Sequence, residues 1–264
     1  MTTTLSNERA DEFAQRLYDA MQTLIPTSPL TDDEPDMTLE DGYLVQQGIV
    51  RRMIDAGDRI VGYKLGLTSR PMQEMLGISS PDLAPVMASH VNQDAFAIET
   101  AQFISPKMEA EIAFILNADL NGPDCTVADV LAATRGVSAA LEIVDSRVAD
   151  WKIKLGDTVS DMASCGAIVL SGNVVPLTDF DIRLVGMVFT RNGEVVATGA
   201  GGAALGNPAA AIAWLVNTLY PLGEGLKAGH VVMTGALHAA VPVNTGDVFR
   251  ADFDRLGPVT ARMS

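Results

Sequence analysis

The chain reads as one mixed α/β domain, rich in β, and three observations carry that reading. From Arg59 onward, short apolar runs recur between closely set Gly, Pro, Asn and Asp positions, the pattern of strands and turns. Before Arg59 lie two segments whose apolar residues fall at helical spacing. No repeats, heptads or low-complexity linker divide the sequence, which leaves a single packed unit. The organisation expected is a helical N-terminal segment over residues 1–58 packed on a mixed β-sheet domain over 59–264.

From about Asn7 to Met21, the residues Ala10, Phe13, Leu17 and Met21 share one helical face, with charges between them. Pro26, Pro29 and Asp32-Asp-Glu-Pro-Asp36 then form a loop. A second helix begins at Thr38-Leu-Glu-Asp41, where Thr38 can accept a backbone N–H and Asp41 can reach back, and it runs to Gly57. Ile60 to Thr68 is strand-like, with glycines flanking Lys64; Ser69 and Pro71 start a short helix through Leu76, and Asp82 falls in the turn-rich segment Ser79 to Pro85. Two strands, Lys107 to Leu116 and Val137 to Val144, flank a helix capped at Thr126 with Asp129 three residues on. Asp157 to Gly166 is a polar loop feeding a strand from Ala167 to Leu170.

In the C-terminal third, Val185 to Arg191 and Glu194 to Thr198 form a hairpin through Asn192-Gly193. Gly199 to Gly206 is a Gly/Ala-rich loop without the Gly-Lys-Ser/Thr of a phosphate loop. Asn207 and Pro208 open a helix to about Tyr220, and strands at Gly229 to Gly235, Ala240 to Val243 and near Val259 follow.

A formal charge of −15 repels phosphate backbones, so nucleic acid is excluded as a partner. No apolar stretch is long enough to span a bilayer and the N-terminus lacks signal-peptide character; the expectation is a soluble, cytoplasmic protein without a membrane partner. Two cysteines, Cys125 and Cys165, offer neither a disulfide framework nor zinc spacing.

The informative feature is a set of carboxylates on apolar strands. Glu109 and Glu111 alternate with Met108, Ala110 and Ile112, so a strand projects the two glutamates together from one face. Such a pair is often a solvated sheet face, but Glu142 interrupts the apolar run Val137 to Val144, which reads as buried. Buried carboxylates need a cation, and three oxygen donors suit a hard divalent ion such as Mg²⁺ or Mn²⁺. Lys64 either snorkels to water or places its ammonium at a reacting group. His90, His230 and His238 lack metal spacing and read as structural, and Ser164-Cys165 has no neighbouring His or acid to complete a nucleophile's triad.

Read as a set, Gly62-Tyr-Lys-Leu-Gly-Leu-Thr-Ser69, Met75 to Asp82, Pro106-Lys-Met-Glu-Ala-Glu-Ile-Ala-Phe114, Leu141-Glu-Ile-Val-Asp-Ser-Arg147, Asp150-Trp-Lys-Ile-Lys154, Asp157-Thr-Val159, Ala163-Ser-Cys-Gly166 and Thr198 to Gly206 resemble the 2-keto-4-pentenoate hydratase family. That family includes 4-oxalocrotonate decarboxylases and belongs to the fumarylacetoacetate-hydrolase-like superfamily. The resemblance implies a twisted β-roll with outer helices, metal ligands at Glu109, Glu111 and Glu142, an active-site Lys64, an acid at Asp82, and substrate contacts at Ser164, Thr234 and Arg70. It implies a homo-oligomer, in contact with neighbouring enzymes of an aromatic meta-cleavage pathway. Two departures bear on the substrate: Leu83-Ala84 follow Asp82 where an aromatic and Gly are expected, and Met162 stands where Asn is expected.

The activity implied is metal-dependent hydration of 2-hydroxypenta-2,4-dienoate to 4-hydroxy-2-oxopentanoate. Two other readings stay open: decarboxylation of 4-oxalocrotonate on the same metal, and a non-catalytic partner subunit. Arg70 and Arg147 are the arginine candidates for a second substrate carboxylate, with Arg147 close to Asp145.

Overall fold

The computed structural model describes residues 3–69, 73 and 80–264. The N-terminal periodicity yields α1 (Asn7–Thr23) and α3 (Leu39–Asp55), with a one-turn α2 (Leu30–Asp33) between them. The capping box at Thr38 forms as expected, and the Asp41 carboxylate also accepts the backbone N–H groups of Thr4 and Leu5. These helices bury Phe13, Leu17, Val45 and Ile49 against a cluster that reaches Ala84, Met87, Met162 and Cys165. Gln46 ties them further by donating to the carbonyls of Leu83 and Val159.

Thirteen strands are described, in two sheets. The larger holds β1 (Ile60–Gly66), β2 (Asp82–Met87), β3 (Val91–Gln93), β5 (Lys107–Leu116), β6 (Thr134–Val144), β7 (Cys165–Leu170), β10 (Val231–Met233) and β11 (Val241–Pro242). Its order is β2-β1-β10-β5-β6-β7-β3, with β11 on the end of β5. The outermost strands β2 and β3 are joined through only Ala88, Ser89 and His90. That link spans at most about 14 Å, whereas the edges of a flat sheet of this order would lie about 29 Å apart. The sheet must therefore curl until its edges approach, which makes it a roll with an inner and an outer face.

Register assigns the faces. Lys64 pairs with Ala84 and Met233, Met233 with Ala113, Ala113 with Ser138, Glu109 with Glu142, and Glu142 with Ile168, so all of these point to the inner face. The outer face carries Met108, Ala110, Ile112 and Phe114 into the main core. There it meets the second sheet: β4 (Ala97–Ile98), β13 (Gly257–Met263), β12 (Val248–Phe253), β8 (Gly186–Arg191) and β9 (Glu194–Ala200), in that order. Phe189 and Phe249 stack at 5.6 Å in this layer. Three helices complete the description: α4 (Val127–Ala133), with its Thr126 and Asp129 capping box, α5 (Leu155–Ser160) and α6 (Pro208–Leu219), with Asn207 as N-cap. Asn192 and Gly193, both at positive φ, close the expected β8–β9 hairpin.

Several expectations are corrected. Asp82 begins the fully buried strand β2 and does not sit in a turn; Pro85 is tolerated because β2 is an edge strand that needs ladder bonds on one side alone. The polar stretch after Asp157 is largely helical, because the Asp157 carboxylate accepts from Lys154 N and from both Thr31 N and Thr31 Oγ1. Two strands, β12 and β13, occupy the end of the chain where one was expected. The helix expected from Ser69 to Leu76 falls largely outside the described residues.

Candidate metal and acid-base site

Strand alternation delivers Glu109 and Glu111 to the inner face of β5, and Glu142 lies directly across from Glu109 on β6. One carboxylate oxygen of each falls within 4.8 Å of the others. Like charges opposite one another on a ladder repel. Burial, reinforced by the Glu142 charge, pushes Glu109 up to about 7 and Glu111 well above the usual carboxylate range. Among the described residues, Glu111 Oε1 and both oxygens of Glu142 have no hydrogen-bond partner. Buried, orphaned carboxylate oxygens at this spacing fit a hard divalent cation, which would satisfy them and cancel their repulsion.

Glu111 is aimed by a residue that sequence reasoning passed over. Gly235 N–H donates to Glu111 Oε2 at 2.8 Å, its φ is +103°, and a Cβ there would strike the Thr68 side chain. Only glycine fits both constraints.

Lys64, 3% exposed, projects from β1 into the same space. Its Nζ donates to the Ala163 carbonyl at 2.9 Å and lies 3.1 Å from Glu142 Oε1, an ion pair short of hydrogen-bond alignment. Burial works against its charge, but Glu142 and then Asp82 outweigh it and hold the lysine above its ordinary range. The snorkelling alternative is thereby excluded, since the ammonium ends among buried groups. Asp82, also buried, is pushed up by burial and partly drawn back by Lys64. Its carboxylate lies over Gly66, where a Cβ would collide with it, and Asp82 Oδ1 has no partner among the described residues.

The Ala163 carbonyl reaches Lys64 because the backbone turns left-handed through three successive residues: Met162 at φ 53°, Ala163 at 48° and Ser164 at 56°. Each such residue other than glycine costs roughly 1–2 kcal/mol. Asparagine tolerates this conformation better than methionine, which gives the Met162 departure a conformational meaning. Ser164 Oγ lies 3.3 Å from Thr158 Oγ1. Thr234, expected as a substrate contact, commits its hydroxyl to the Ile112 carbonyl. Arg70 is outside the described residues. Arg147 is fully engaged, but with Asp161 and not Asp145, whose carboxylate accepts from Ile104 N and Ser105 N.

Cys165 has a neighbour after all: its Sγ lies 3.8 Å from His90 Nδ1, across 75 positions of sequence. Burial, aided by Arg147, pulls His90 down to about 4, and burial with Glu142 pushes the thiol up. Both groups are therefore neutral near pH 7, and the contact is packing, not an activated nucleophile.

A cavity of about 360 Å³ opens beside Glu109, lined by Leu65, Leu67, Thr68, Ala203, Ala236 and Leu237 among others. His238, also on its wall, accepts Ala110 N–H at Nε2, donates from Nδ1 to the Ala239 carbonyl and stacks on Phe189 at 4.4 Å. Burial lowers its pKa, so the ring is neutral and locked.

Residues 70–264 match the family described as fumarylacetoacetate (FAA) hydrolase C-terminal. A 2-hydroxyhexa-2,4-dienoate hydratase of Comamonas testosteroni is 42% identical over 245 residues, 92% of this chain and 93% of that protein. A 2-keto-4-pentenoate hydratase of Paraburkholderia xenovorans (strain LB400) is 43% identical over 97% of this chain and 95% of its own length. Among solved structures, 4-oxalocrotonate decarboxylase from Pseudomonas putida G7, complexed with magnesium and adipate, superposes with a TM-score of 0.96 at 36% identity, covering 100% of both chains. The same decarboxylase is also known complexed with calcium and acetate.

Proposed function

Because the chain belongs to the fumarylacetoacetate hydrolase family, in the group of 2-keto-4-pentenoate hydratases and 4-oxalocrotonate decarboxylases, we propose that it is a divalent-metal-dependent hydro-lyase that converts 2-hydroxypenta-2,4-dienoate, or a close homologue, to the 4-hydroxy-2-oxo acid. The observation that carries this reading is the convergence of Glu109, Glu111, Glu142, Lys64 and Asp82 on the inner face of the roll.

Glu109, Glu111 and Glu142 hold the ion, with Mg²⁺ or Mn²⁺ as the candidates. When bound, it supplies Lewis-acid polarisation of the 2-oxygen beside the substrate carboxylate, which stabilises the enolate. The ammonium of Lys64 delivers a proton to C5 of the dienol and is recharged by the proton released from the 2-hydroxyl, giving the conjugated 2-oxo-3-enoate with no net change in protons. Asp82, held toward its neutral form, orients the water whose oxygen bonds to C4 while a proton is delivered to C3. No atom is lost: the product is the dienol plus one water. The apolar cavity beside Glu109 takes the far end of the chain.

That cavity also favours hydration over decarboxylation of a dicarboxylate. A second carboxylate needs a cationic clamp, and the described lining offers leucines, alanines and a neutral, locked His238. Assays run side by side, following dienoate absorbance and CO₂ release, test the reading. The expected result is hydration that EDTA abolishes and Mg²⁺ or Mn²⁺ restores; dominant CO₂ release would move the chain to the decarboxylases, and full turnover by the metal-free enzyme would remove the metal from the reaction.

The homo-oligomer and contact with neighbouring pathway enzymes rest on the family resemblance and remain part of this proposal. No helix among the described residues is long and apolar enough to cross a membrane.

A further inference from the structure

The left-handed turn over Met162, Ala163 and Ser164 needs something to hold it, because three successive side-chain-bearing residues disfavour it. Arg147 closes it from both ends. Its Nη2 donates to the Asp161 carbonyl immediately before the turn, and its Nη1 donates to the Cys165 carbonyl immediately after it, at 3.0 Å. Its Nε pairs with the Asp161 carboxylate, whose other oxygen accepts Arg147 N–H at 2.9 Å. Ser164 N–H donates to the same Asp161 carbonyl, and Ser164 O accepts from Asp145 N, so the turn is also stitched to the end of β6. Arg147 is 3% exposed and Asp161 is fully buried.

The turn has one outward commitment that matters to the site: its central carbonyl, on Ala163, receives the Lys64 ammonium. A planar guanidinium can bridge two carbonyls and a carboxylate at fixed geometry, which the single point charge of a lysine cannot. From this geometry we infer that Arg147 is a positioning residue for Lys64, acting through the Ala163 carbonyl to set the ammonium beside Glu142. The inference rests on the proposed role of Lys64 in hydration and assigns to Arg147 no contact with substrate.

A coupling experiment separates positioning from mere support. Arg147→Lys keeps a positive charge and loses the fork; it is made in the wild-type chain and in Lys64→Met. The expected result is a roughly 10–100-fold fall in kcat in the wild-type chain, with Mg²⁺ affinity changed less than about threefold, and almost no further fall in the Lys64→Met background. An equal fall in both backgrounds, or an unchanged kcat in the wild-type chain, would overturn the inference. Should Arg147→Lys not fold, Asp161→Asn keeps the shape and removes the charge that fixes the guanidinium, and the same comparison applies with a few-fold effect expected. If Lys64→Met alone turned over at the wild-type rate, the role of Lys64 itself would fail, and the inference with it.

Discussion

Glu142 and His90 show at the scale of single residues how burial decides chemistry. Glu142 has no hydrogen-bond partner for either oxygen among the described residues; the Lys64 ammonium 3.1 Å from Oε1 offsets part of its buried charge, and the divalent ion proposed between it, Glu109 and Glu111 would offset the rest. Glu142→Gln preserves volume and removes one charge; the expected outcome is Mg²⁺ binding weakened by about 10–100-fold, read by calorimetric titration. His90 is neutral when folded, with a pKa of about 4 against an ordinary 6.5. As pH falls, the unfolded chain takes the proton first, so His90 contributes its full stabilisation above pH 6.5 and loses it progressively toward pH 4, at most about 3 kcal/mol. His90→Gln is therefore expected to flatten the decline of Tm in that window, and a wild-type slope in the variant would dissociate His90 from acid sensitivity. The carboxylates and Lys64 were legible in the sequence because apolar alternation marks a buried strand even when charge interrupts it. Gly235, the Ala163 carbonyl and the His90–Cys165 contact were not, since backbone donors and acceptors leave no side-chain signature and the last pair meets only after the sheet curls.

Elements succeed or fail to show in sequence according to whether their stabilisation is local. The Thr38 and Thr126 caps, the Asn192-Gly193 hairpin and the Asn207-Pro208 helix start are encoded within a few residues, and each forms as expected. Strand β2 and helix α5 depend on distant partners, β1 for the first and the Thr31 hydroxyl and N–H for the second, so local composition misleads. The β1–β2 pair sets a close tolerance near the site, because Gly66 faces the Asp82 carboxylate with no room for a methyl group. Gly66→Ala is expected to displace Asp82 and lower turnover by roughly 10²-fold while the far-UV spectrum and Mg²⁺ affinity stay near wild type. Loss of metal binding together with activity would show that the strand pair itself had come apart.

Across the whole molecule, the helical layer over residues 1–58 belongs to the same packing problem as the roll. Phe13 is fully buried in a cluster that extends to Ala84 and Met87 on β2 and to Met162 in the left-handed turn. Phe13→Ala is expected to cost about 3–5 kcal/mol and to lower a single thermal transition; two separated transitions would show that the layer folds as its own unit.

The roll is plugged behind its carboxylates. Val86, Ala113, Ala140, Ile168 and Met233, all fully buried, fill its inside with hydrocarbon. An organic anion crossing that plug would shed its hydration with nothing in exchange, so it does not cross. Among the described residues, the opening beside Glu109 is thus the one substrate and product would share, and traffic through it is two-way: an outgoing hydroxy acid blocks the next arrival. Accumulated product should accordingly act as a competitive inhibitor, and whichever enzyme consumes that product relieves this one by emptying the doorway.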